Sequence, residues 1–180
     1  TMVGIGLAMG FFAMPHLHVM PAFAKEVLDS GPGGTGVLMM AIAIGSLLGS
    51  IALASVGNVQ HKNWLLLGAL FCLGSSLFLF AWSPWYGVSW VILLFVGMGA
   101  SIYIALGGAV LQMTVPQEVL GRILSLWSVG AALIQVGALP MGVLADVAGW
   151  PIAMANGATW LLIAVLWLGV WRPTLRHLKV

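Results

Sequence analysis

Charge is what this sequence has least of. Only six Lys or Arg and four Asp or Glu occur among 180 residues, 6% of the chain, against 62% hydrophobic residues. A soluble domain carries roughly 25% charged residues. So few charges cannot cover a water-soluble globule of this length, which points to lipid as the solvent around most of the chain. Cysteine is nearly absent too. Cys72 stands alone, which excludes a disulfide framework and a cysteine metal site and leaves a small apolar filler. Also missing are a Gly-x-Ser-x-Gly elbow, a His-Glu-x-x-His pair, a Gly-rich phosphate loop and paired carboxylates within one apolar run. No enzyme, no cofactor and no metal site is therefore expected. The basic residues are scattered, with no patch suited to nucleic acid. No basic leader and cleavage site marks a removable signal peptide.

Charge-free runs cover residues 1–24, 30–61, 63–117, 123–145 and 147–171. A spanning helix takes about 20 apolar residues. Four runs hold one span each. The longest holds two, divided by Ser83-Pro84-Trp85-Tyr86-Gly87, a turn sequence. The runs are continuous rather than alternating, which favours helices over a β-barrel. The expectation is an all-α membrane protein with six transmembrane helices at about 1–20, 36–56, 63–82, 88–112, 123–145 and 151–171.

The Lys/Arg bias of short loops sets sidedness. Lys62, Arg122, Arg172, Arg176 and Lys179 fall on one side and Lys25 alone on the other. Both termini are thereby predicted to be cytoplasmic, with Glu26, Asp29 and Asp146 outside. Trp82, Trp85, Trp90, Trp150 and Tyr86 would sit at the outer interface, Trp64 and Trp171 at the inner one. The face bearing Trp160, Trp167 and Trp171 suits lipid.

Glycine is abundant, with 24 residues. Gly45 and Gly49 in the second span, Gly99 and Gly107 in the fourth and Gly137 in the fifth recur at helical spacing. Small residues four apart let helix backbones approach. Plain bundle packing explains this; so does a need for helices to rock against each other. Pro140 lies within the fifth span and removes one backbone hydrogen bond there.

No Asp, Glu, Lys or Arg falls mid-span. The polar residues left inside are His16, His18, Ser101, Tyr103, Gln112, Gln135 and Asn156. Each costs free energy in lipid unless paired or wet. Tyr103, Gln112, Gln135 and Asn156 are the candidates for a substrate path, with interhelical hydrogen bonding as the alternative. His16 and His18 are two apart and point to nearly opposite helix faces, so one helix cannot bring them to a single metal. An interfacial role is expected for both, and His61 and His177 fall in solvated cytoplasmic segments. Asp146 reads as a helix N-cap or a loop charge.

The stretch Leu111-Gln112-Met113-Thr114-Val115-Pro116-Gln117-Glu118-Val119-Leu120-Gly121-Arg122 reads as helix end, proline break and new helix. Glu118 and Arg122 are four apart, the spacing of a helical ion pair, and Glu118 suits a helix start. This stretch resembles the loop after the fourth helix of each half in the major facilitator superfamily, which often reads Val-Pro, an acidic residue, then Arg-Gly-Arg. Within that superfamily the nearest likeness is to a bacterial exporter branch that includes the enterobactin exporter. Pro21 to Leu28 resembles the loop after the seventh helix, Gly36 to Gly49 the eighth helix, and Leu139 to Asp146 the end of the eleventh. Leu120 departs from the pattern where the first Arg is frequent, Gly107 and Gly108 where Asn is frequent. The loop 57–62 is a poor version of the family's basic loop.

The resemblance covers nearly the whole chain as a C-terminal six-helix half. It implies a secondary active exporter of small molecules in a bacterial inner membrane, working by alternating access, with Pro116, Glu118, Gly121 and Arg122 in a cytoplasmic gating loop. It also implies an N-terminal six-helix half outside this sequence; Thr1 already lies within an apolar run, which suggests a partial chain. If such a carrier is proton-coupled, the coupling carboxylate belongs to that other half. The alternatives are a self-contained six-helix channel, a dimeric carrier, a membrane scaffold or an intramembrane enzyme.

Overall fold

The structure, a computed structural model, describes residues 11, 14–56 and 62–171. Among them are six helices and no strand: α1 (His16–Glu26), α2 (Pro32–Ser55), α3 (Lys62–Ala81), α4 (Tyr86–Thr114), α5 (Gln117–Ala148) and α6 (Trp150–Trp171). Most of the expected first span lies outside the described residues. So do His61 and the tail with Arg172, Arg176, His177 and Lys179.

Pro32 opens α2 at a first-turn position, where a missing N–H costs nothing. α1 ends at Glu26, and Ser30 donates from both its N–H and its Oγ to the Ala24 carbonyl, 2.9 Å each. Ser83 and Ser89 are buried in the α3–α4 turn and joined by a 3.0 Å hydroxyl hydrogen bond. Pro116, with φ −56° and ψ 143°, separates α4 from α5. Only Gly149 joins α5 to α6. Its φ is +89°, a backbone region that side chains with a Cβ rarely adopt. Gly149→Val is expected to destabilise the hairpin by about 1–3 kcal/mol, read as a lower melting temperature in detergent.

The helices outrun the apolar stretches. α1 continues through Pro21 to Glu26, where the sequence suggested an end at Met20; α5 starts at Gln117 rather than Ile123. An apolar run measures the part of a helix that lipid must cover, and polar turns such as Gln117–Arg122 extend it beyond. Four stretches, Pro32–Ser55, Trp64–Ala81, Tyr86–Val110 and Trp150–Trp167, are long and apolar enough to cross a bilayer, and Ala132–Ala148 within α5 is a shorter apolar stretch. At about 1.5 Å per residue, the 24 residues of α2 reach roughly 36 Å, more than the bilayer core of about 30 Å. Large apolar side chains face outward along these helices, among them Leu47 at 61% exposure and Leu139 at 72%. Such a surface is stable against lipid and a liability in water.

The core is a column on α3. Leu66, Leu70, Leu73, Leu77 and Phe80 are buried and spaced four and three apart, one helix face. Against it stand Leu93, Val96, Tyr103 and Leu106 of α4 and Met154, Ala158, Leu161 and Val165 of α6. α2 lies on the other side of α4 and buries Leu38, Ala41, Gly45 and Gly49. A Cβ on Gly45 would strike the Leu94 carbonyl oxygen, and one on Gly97 the Ile42 carbonyl oxygen. At Gly49 it would come within 2.8 Å of the Met98 carbonyl oxygen. Backbone thus packs on backbone, the contact that dispersion favours in lipid, where no hydrophobic force gathers helices. Gly99 sits equally close to the Ala69 carbonyl of α3, at 2.8 Å, and Gly137 of α5 lies against the Phe11 carbonyl. Gly107 is buried.

Candidate functional site

Three contacts gather one end of the bundle. The Tyr86 hydroxyl donates to the Gly34 carbonyl at 2.6 Å, tying α4 to α2. The Trp150 indole N–H donates to a Glu26 carboxylate oxygen at 2.8 Å, tying α6 to α1. The Phe23 and Phe80 rings, both fully buried, lie 4.7 Å apart and tie α1 to α3. Exposed Trp82 and Trp85 belong to this end as well. Glu118 and Arg122 are exposed on the first turns of α5, at the opposite end. Polar and aromatic anchors thus collect at one end and the exposed Glu118–Arg122 turn at the other. Trp150→Phe keeps the ring and loses the hydrogen bond. It is expected to cost only about 0.5–1.5 kcal/mol, measured by thermal unfolding.

The candidate path residues do not converge. Tyr103 is buried, at 4% exposure, within the α3–α4–α6 core. Gln112 follows nine residues later on α4, half a turn off the same face at 100° per residue, and is exposed. Gln135 is exposed on α5, two residues before Gly137, so it points away from the side that meets α1. Asn156 on α6 borders a cleft with Gly137 and Pro140 of α5. His16 is buried on α1 and His18 is exposed.

One face of α5 is polar and open. Gly121, Ser125, Ser128 and Gln135 are all exposed and recur at near-heptad spacing. Ser125 and Ser128 turn their hydroxyls onto the Arg122 and Ser125 carbonyls, at 2.8 and 2.7 Å. These bonds lower the cost of the stripe in a low-dielectric setting while leaving the hydroxyl oxygens able to accept. Opposite it, α5 meets α1 and α6. The sequence reading passed over this stripe because it weighed Gln135 singly. It also passed over Gly97, although Gly97 and Ser101 have the same four-residue spacing as the glycines it chose.

Comparison with known proteins gives the surface a context. Over 161 residues, 88% of this chain, it is 30% identical to the multidrug efflux pump Tap of Mycolicibacterium fortuitum. It is similar to bacterial efflux pumps. Macrolide efflux protein A of Streptococcus pyogenes is 26% identical over 79% of the chain, and its namesake in Enterococcus faecalis 27% over 68%. The chain covers 39%, 36% and 38% of these three relatives, about two fifths of their length. No family model and no solved structure matches it. The apolar helices describe a helical membrane protein, and the proteins it is similar to are efflux pumps.

Proposed function

We propose that this chain is the C-terminal six-helix half of a major facilitator superfamily exporter, a secondary active carrier that expels small organic molecules from bacteria. The observation that carries the proposal is the similarity to a multidrug efflux pump along 88% of the chain, against 39% of that pump. The named relatives suggest macrolide-sized drugs as substrates. The narrower assignment to a branch with the enterobactin exporter rests on the four sequence segments quoted above.

In this reading the open stripe on α5, with Gln112 and Gln135, faces the substrate path and the other half of the carrier. Tyr103 and Asn156 act from the core and from the α5–α6 side. Backbone-to-backbone packing through Gly45, Gly49 and Gly97 makes α2 and α4 move as one piece. Rocking of that piece against the second half exposes the path alternately to each side of the membrane. Pro116, Glu118, Gly121 and Arg122 form the cytoplasmic gate, and both termini are cytoplasmic.

Accumulation of a labelled macrolide in a susceptible bacterium, with and without the full-length gene product, tests the proposal. Lower accumulation is expected with the protein, and equal accumulation would remove the basis for it. Proton coupling adds a second prediction. No carboxylate lies mid-span in this half, so replacing His16 and His18 with Gln is expected to leave pH-driven efflux within about twofold of the parent. Efflux that no longer responds to the pH gradient in this double variant would place the coupling group here instead.

A further inference from the structure

Helices α5 and α6 leave an open cleft of about 130 Å³ between them, walled by Phe11, Met141 and Leu144, with Gly157 on its border. Asn156 borders it. Among the described residues no hydrogen bond reaches the Asn156 side chain. The residue sits within a helix apolar enough to cross a bilayer, six positions after Trp150 and therefore roughly 9 Å further along the axis. An amide without a partner at such a depth costs several kcal/mol. Pro140 also borders the cleft, and its ring takes the place of a backbone N–H there.

The cleft therefore combines an apolar wall with one amide that can both donate and accept. Apolar cavities of about 150 Å³ hold a benzene-sized molecule. We propose that this cleft is a binding site for a small apolar molecule of single-ring size that carries one hydroxyl, with Asn156 as the group that holds the hydroxyl. A lipid tail would leave the amide unsatisfied, and water alone would leave the apolar wall wet. The site lies on the side of α5 away from the open stripe and shares Asn156 with the proposed path, so its test reads binding and not transport.

Protection of a reporter cysteine tests this in the full-length protein. The cysteine of this chain is half-buried Cys72, so Cys72→Ser, with any cysteine outside this sequence replaced as well, clears the background. Leu144→Cys then places a thiol at the cleft with Asn156 intact, and Leu166→Cys places one on the outward face of α6. The probe is 4-fluorobenzyl alcohol. It is expected to slow alkylation at position 144 at least threefold and leave position 166 unchanged. Adding Asn156→Leu should abolish the protection, and Asn156→Gln should keep part of it. Equal slowing at both positions would mean the probe acts through the lipid or detergent. Protection that survives Asn156→Leu, or a thiol at 144 that the probe does not protect or no reagent reaches, would also overturn the site.

Discussion

Gly97→Leu and Gly45→Leu are each expected to destabilise the bundle by about 3 kcal/mol or more, the upper range for overpacking a close contact. The reason is geometric. At both positions a Cβ would meet a carbonyl of the facing helix rather than a side chain that can turn aside. Relief requires α2 and α4 to separate along their length, which forfeits the most extensive helix contact of the described residues. Gly36→Leu and Gly68→Leu are the matched controls. Both lie within spanning helices, and nothing lies within 4 Å of a Cβ at either place. They are expected to change stability by less than about 1 kcal/mol. Thermal unfolding of the four variants in one detergent checks the contrast. Similar melting temperatures for all four would show that the α2–α4 contact is looser than described.

Arg122→Ala is expected to reduce efflux by the full-length carrier about tenfold, a loss of roughly 1.4 kcal/mol in the limiting barrier, with little change in melting temperature. Arg122 is exposed one turn after Glu118, roughly a quarter turn round α5 from Gly121. Removing it takes nothing from the core, since exposed substitutions of this kind usually stay within about 0.5 kcal/mol. A functional loss without a stability loss would mark the end of α5 as a contact made during the cycle. Arg122→Lys should recover only part of the rate, because a point charge replaces a planar fork. Efflux unchanged in Arg122→Ala would withdraw the gate from Pro116–Arg122.

Much of the helical architecture was legible because lipid simplifies the code. With so few charges in the whole chain, the apolar runs between them stand out, and most described residues of those runs are helical. Helix ends were less legible. α5 gains a turn and a half of polar residues from Gln117 onward, and hydropathy does not register such turns. The glycine contacts could be read as spacing but not as partners: nothing in residues 42–49 names Leu94 or Met98 as what they touch. The Glu26–Trp150 hydrogen bond joins residues 124 positions apart, so it exists only once α1 and α6 are side by side. The cleft at Asn156 exists only because the turn at Gly149 brings α6 back alongside α5. Tyr103 and Gln112 show the limit of choosing residues by polarity alone: a nine-residue separation puts them on opposite faces.

We propose above all that these helices belong to a secondary carrier for organic drugs. Uptake by sealed proteoliposomes containing the purified full-length protein tests it most directly. The measurement uses a labelled macrolide and an imposed pH gradient, with no nucleotide present. Uptake above protein-free liposomes that collapses when a protonophore dissipates the gradient is the predicted result. Uptake equal to that of protein-free liposomes under every gradient, from protein shown to be folded by its thermal transition, would contradict it.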